Sequence, residues 1–147
     1  MAYTKAHDPW VDGIGGGTRI DAVDLNTMEQ GIADAHTAPG LLGRYAGVDA
    51  KTGTAYTPVL TDEGKLITLS NASPITVTLP QNSVLAFPVG GSIDFVGIGT
   101  GLVTFAAGSG ATVNGTPTLV TRAQWSTVTV IKRATNTWLV VGDLGTP

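Results

Sequence analysis

Ile75-Thr76-Val77-Thr78-Leu79 alternates strictly between apolar residues and threonine. Successive side chains of a strand point to opposite faces, so this pattern predicts a strand with one buried face and one threonine face. The habit recurs, more loosely, over residues 65–69, 92–98, 102–106, 126–132 and 137–141. Between these runs lie turn signals. Gly99-Thr100-Gly101 predicts a hairpin loop, Asn114-Gly115 a tight turn, and Ala134-Thr135-Asn136 the turn of a last hairpin. Seven or eight short strands spaced about 8–12 residues apart predict a mainly β fold, a small antiparallel β-sandwich or barrel. It occupies residues 57–147.

The strands are almost uncharged. Residues 57–147 carry four acids and four bases, whereas residues 1–56 carry seven acids and four bases and so the whole net charge of −3. Charged residues are 13% of the chain, about half the usual share. Threonine stands on outward strand positions where lysine or glutamate is more usual, and it has high β propensity. Such a surface belongs either to a stable neutral domain or to one whose flanks are buried in an oligomer; the second reading is preferred.

Residues 1–56 read differently. An N-terminal arm covers 1–20, and its run Gly13-Ile14-Gly15-Gly16-Gly17 is too costly in backbone entropy for regular structure. A short helix is expected over 21–37. Asp21 is a plausible N-cap, Asp24 adds charge where the helix dipole favours it, and Leu25, Met28, Ile32 and Ala35 form one apolar stripe. Pro39-Gly40 stops the pattern. Residues 38–56, rich in Gly, Ala and Thr, read as a linker or strap. Nothing at the N-terminus has the apolar core of a secretion signal, and no apolar run is long enough to span a membrane.

The search for chemistry returns little. The chain has no cysteine, and its two histidines, His7 and His36, have no metal-ligand spacing with other ligands. His36 at a helix end is better placed to complement the dipole. No Gly-x-Ser-x-Gly elbow occurs; Gly108-Ser109-Gly110 reads as a turn. Asp62, Glu63, Asp94 and Asp143 could in principle pair for glycoside cleavage, but nothing in their spacing brings two together. Asp94 shares a strand face with Ser92 and Val96, opposite Ile93 and Phe95, which suits a solvent-side or interface acid. The glycine run follows no strand and lacks the Gly-Lys-Ser/Thr of a phosphate loop. Arg122, Lys132 and Arg133 are too few for a nucleic-acid track. Trp125 and Trp138 could stack a sugar, although packing in the core or at an interface is the simpler reading. The expectation is a non-enzymatic chain with no cofactor and no metal site.

Two stretches carry a resemblance. The first runs from Trp10-Val11-Asp12-Gly13 through Gly17-Thr18-Arg19-Ile20-Asp21-Ala22 to Leu25-Asn26-Thr27-Met28-Glu29-Gln30-Gly31-Ile32. It resembles the N-terminal motif of virion proteins of phages infecting actinobacteria, found in minor tail proteins, fibres and related appendages. The second, Leu69-Ser70-Asn71-Ala72-Ser73 with Ile75–Leu79 and the closing Asn136-Thr137-Trp138-Leu139-Val140-Val141-Gly142-Asp143-Leu144, resembles their fibre-like β domains. The resemblance implies a homotrimer with an N-terminal attachment segment. An irregular arm can order on a virion surface, with Trp10, Ile14 and Ile20 as contacts to the major capsid protein or another virion protein. Leu25, Met28 and Ile32 would then make the trimer contact. Arm, helix, strap and a single β domain suit a capsid decoration or head-fibre protein on the capsid surface. The alternative is a short tail fibre or minor tail protein whose β domain binds a host receptor, possible partners there including a surface glycan.

Overall fold

The computed structural model describes residues 26–30 and 45–145. The chain divides into two units, Met1–Leu41 and Leu42–Pro147. In the first, residues 26–30 are α-helical. The second is mainly β and has two sheets, as the alternation predicts.

Its strands are β1 (Val48–Lys51), β2 (Ala55–Tyr56), β3 (Leu66–Leu69), β4 (Ile75–Leu79), β5 (Ser92–Gly97), β6 (Val103–Ala107), β7 (Thr112–Asn114), β8 (Thr127–Ala134) and β9 (Thr137–Gly142). A six-stranded sheet has the order β1-β3-β5-β8-β9-β7, and a three-stranded sheet has the order β2-β4-β6. The chain lays one strand in the first sheet, turns a corner, and lays the next in the second sheet. It does this three times, so β1-β2, β3-β4 and β5-β6 are three stacked coils of a short solenoid. Within each sheet these coils pair in parallel. The hairpin β8-β9 then closes the first sheet with antiparallel pairings, and β7 adds in parallel to β9.

Strand direction therefore departs from the antiparallel expectation. Glycines 99 and 101 do not close a hairpin between β5 and β6, because these strands lie in different sheets. Asn114-Gly115 closes none either, since β7 pairs in parallel with β9. The expected last hairpin is present, with β8 and β9 joined at residues 135–136. The segment read as a strap over 38–56 supplies β1 and β2, the first coil. A two- or four-residue strand at the end of a solenoid gains its order from the parallel neighbour rather than from its own pattern.

The corners explain the parallel stacking. Asn71, at the middle corner, donates its side-chain amide to Thr52 O of the first corner at 2.7 Å and accepts from Ser73 N at 2.8 Å. Its backbone carbonyl accepts from Gly101 N of the third corner at 2.9 Å. The third corner fits only because it is glycine: a Cβ on Gly99 would lie 2.3 Å from Asn71 O, and one on Gly101 2.0 Å from Ser73 O.

Between the sheets lies the core. Ile67, Leu69, Ile93, Phe95, Val128 and Val130 face Ile75, Val77, Leu79, Val103 and Phe105, all essentially inaccessible. The Phe95 and Phe105 rings meet edge to face at 5.5 Å. Residues 119–121 cover the outer edge of β6: Phe105 N donates to Leu119 O, Thr121 N to Val103 O, and Val103 N to the buried Thr121 hydroxyl. This satisfies backbone groups that would otherwise form an open edge. At the other end, Trp138 is buried, donates its indole N–H to Pro80 O at 2.9 Å, and stacks edge-on with Phe87 at 5.2 Å. These contacts fasten the long connection from β4 to β5 over the hairpin.

Gly101→Ala should lower the stability of the β unit by about 3 kcal/mol or more, since a rigid backbone carbonyl occupies the space a Cβ needs. Asn71→Ala should cost roughly 1–3 kcal/mol by removing both inter-corner and intra-corner bonds. Urea unfolding followed by near-ultraviolet circular dichroism measures both.

Candidate functional site

Three of the four acids weighed for chemistry, Asp62, Asp94 and Asp143, have structural partners. Asp62 is buried, accepts from the Tyr56 hydroxyl and from Val59 N at 2.8 Å, and lies 3.9 Å from Lys65 Nζ. This clamp ties the first coil to the second. Burial, and then the bond to Asp62, push the Tyr56 phenol well above its ordinary pKa. Asp143 takes Arg122 Nε at 2.7 Å on one oxygen and the Ser126 hydroxyl at 2.7 Å on the other. The Arg122 guanidinium, with help from Ser126, holds its carboxyl below the usual range. Asp94 accepts from the Thr129 hydroxyl, and its carboxylate pushes the Tyr45 phenol above its ordinary pKa. Among the described residues, no three His, Asp or Glu side chains gather as a metal site would require.

Asp94 belongs to the most distinctive surface, the outer face of the six-stranded sheet. Strand alternation places Val48, Leu66, Val96, Ile131, Leu139 and Val141 there among Thr68, Thr127, Thr129 and Thr137. Pairing register aligns Val48, Leu66, Asp94, Thr129 and Val141 in one row across five strands. Among the described residues, Asp94 and, at one end, Arg133 are the charges on this face. Where β9 meets β7, the surface dips into an open groove of about 460 Å³ lined by Leu139, Val141 and residues 114–116. The sequence places Asp94, Ser92 and Val96 on this outward face, and the structure agrees. It does not reveal that β1, β3, β5, β8 and β9 lie side by side, because that depends on the coil stacking.

Of the residues expected to make contacts, Met28 is described: it lies in the helical segment and is half-exposed. Trp10, Ile14, Ile20, Leu25 and Ile32 lie outside the described residues, as do His7, His36 and the glycine run. The two tryptophans of the β unit part company. Trp138 is core, whereas Trp125 is 65% exposed.

Lys132, one of the three bases too few for a nucleic-acid track, faces inward from β8, is fully buried, and its ammonium finds no hydrogen-bond acceptor among the described residues. Its ammonium sits 4.4 Å from the centre of the Trp138 ring. The strand alternation of 126–132 carries the signal, since Val128, Val130 and Lys132 share a face.

Neither a protein-family model nor a curated protein matches this chain.

Burial pushes the Lys132 amine below its ordinary pKa. The unfolded chain therefore binds more protons between the folded value and about 10.4, and stability rises with pH through that window. Lys132→Met should stabilise the β unit by ~1–3 kcal/mol at neutral pH. That advantage should shrink as pH approaches 10, which chemical unfolding of both proteins across pH would measure.

Proposed function

We propose that this chain is a non-enzymatic virion structural protein, a trimeric capsid decoration or head-fibre protein that attaches through its N-terminal arm and helix. The observation that carries this reading is the outer face of the six-stranded sheet. A solvent-facing sheet surface normally carries many charged side chains, and this one carries mainly valine, leucine, isoleucine and threonine, with Asp94 and Arg133 as its charges among the described residues. Contact with another copy would bury that face, and threonine tolerates such burial without the desolvation cost of a charge. The half-exposed Met28 and the likeness of residues 10–32 to phage virion motifs support the same reading.

In this arrangement the β units pack around a symmetry axis while the arm and helix reach the shell. Closed cyclic symmetry gives every copy the same contacts. The tail-fibre alternative places the same unit elsewhere in the particle.

Light scattering of the full chain should give three times the 15.0 kDa chain mass. Val141→Glu should reduce this to one chain mass with little loss of fold, because Val141 is already part-exposed, whereas Val141→Thr should leave the trimer intact. A monomeric parent would refute the trimer. Quantitative mass spectrometry of virions should count on the order of hundreds of copies, since a shell repeats each surface site; a few dozen or fewer would assign the chain to the tail. Removing residues 1–20 should abolish shell binding and leave the β unit folded.

A further inference from the structure

Trp125 is the one non-glycine residue with a left-handed backbone among the described residues, at φ 69°. For a bulky side chain that is a true outlier, and such strain persists only where surrounding structure imposes it. Here it does. Trp125 N donates to Gly97 O at 2.6 Å, and the neighbouring Gln124 amide donates to Ile98 O at 2.8 Å. The buried Ser126 hydroxyl accepts from Ala123 N at 3.0 Å and donates to Asp143 Oδ2 at 2.7 Å. Arg122 closes the loop on the other Asp143 oxygen. All this fixes a loop whose central side chain is left in solvent. Burial of the indole does not account for the strain, because the indole is 65% exposed.

The geometry points to a saccharide-binding site at Trp125, taking a neutral pyranose. The flat indole face suits the C–H face of a sugar ring. A sugar's rim carries hydroxyls that need donors and acceptors together. Arg122 supplies donors, Asp143 an acceptor, and Gln124 an amide with both, and all three are held by bonds to the scaffold. The Arg122–Asp143 pair is neutral overall, which favours an uncharged sugar over an anion. The residues flanking Trp125 in sequence, Gln124 and Ser126, are polar, and Ser126 bonds the Asp143 carboxylate that also holds Arg122. With the loop already ordered, little conformational entropy remains to be lost on binding. The site is independent of where in a virion the chain sits.

The test uses the full chain with labelled indole nitrogens, titrated with cellotetraose, galactotetraose, mannotetraose and chitotetraose. At least one should shift the Trp125 indole resonance, with a dissociation constant of roughly 0.1–10 mM for a single stacked ring. Trp125→Gly adopts the same backbone without strain, so it should keep or raise the unfolding midpoint while weakening binding by about tenfold or more. Trp125→Phe should retain most of the affinity, and Arg122→Ala should lose part of it. The proposal fails if no saccharide moves the Trp125 resonance, or if Trp125→Gly binds as the parent does. It fails equally if the titrations are silent and Trp125→Gly instead abolishes self-association, which would make the residue a protein contact.

Discussion

Three turns of the chain meet at Asn71, and the rest of the β unit depends on that meeting. Its amide reaches back to the first corner, its carbonyl receives the third, and its own side chain shapes the turn between β3 and β4. A parallel pairing has no tight hairpin to fix its register. Here the corner bonds supply that register, and the strands on either side inherit it. The two sheets then face each other at a fixed offset, which lets Phe95 and Phe105 meet across the core. Gly99 and Gly101 belong to the same constraint, as the corner can approach Asn71 and Ser73 only without side chains.

Stacked coils also determine the surface. Each coil sends one strand into the six-stranded sheet, and the outward residues of successive strands fall into rows. Val48, Leu66, Asp94, Thr129 and Val141 come from five separate segments yet form one such row. The low charge of residues 57–147 is thereby concentrated in a continuous face rather than scattered. The hairpin β8-β9 extends that face and, with residues 119–121 and the connection fastened by Trp138, finishes the solenoid. Lys132 is the discordant member of the core. Its burial over Trp138 follows from the strand register, and its ammonium gains no hydrogen bond among the described residues.

Much of the strand content was legible. The span 75–79 is a strand at the residues its alternation marks, and the runs near 66, 93, 103, 127 and 137 fall within a residue or two. Strand direction was not legible. Gly99-Thr100-Gly101 satisfies the chemistry of a hairpin loop and of a solenoid corner equally, because both require small residues. No repeat betrays the coils either: Val48 lies beside Leu66 and Leu66 beside Asp94, steps of 18 and then 28 residues. Connections of unequal length hide the period. Strands β1 and β2 were missed because they are short and take their order from β3 and β4.

The sequence by itself determined that residues 57–147 form strands, which residues of each strand turn inward, and that the outward ones are threonine and aliphatic rather than charged. These are local properties, set by alternation and side-chain type. Only the tertiary structure decided which strands lie side by side, that Trp138 is core and Trp125 is displayed on a strained loop, and that Lys132 is enclosed. Those outcomes depend on corner contacts between segments far apart in the chain, where a hydrogen bond from Asn71 or the missing Cβ of Gly101 selects one stacking over others that the same pattern would allow.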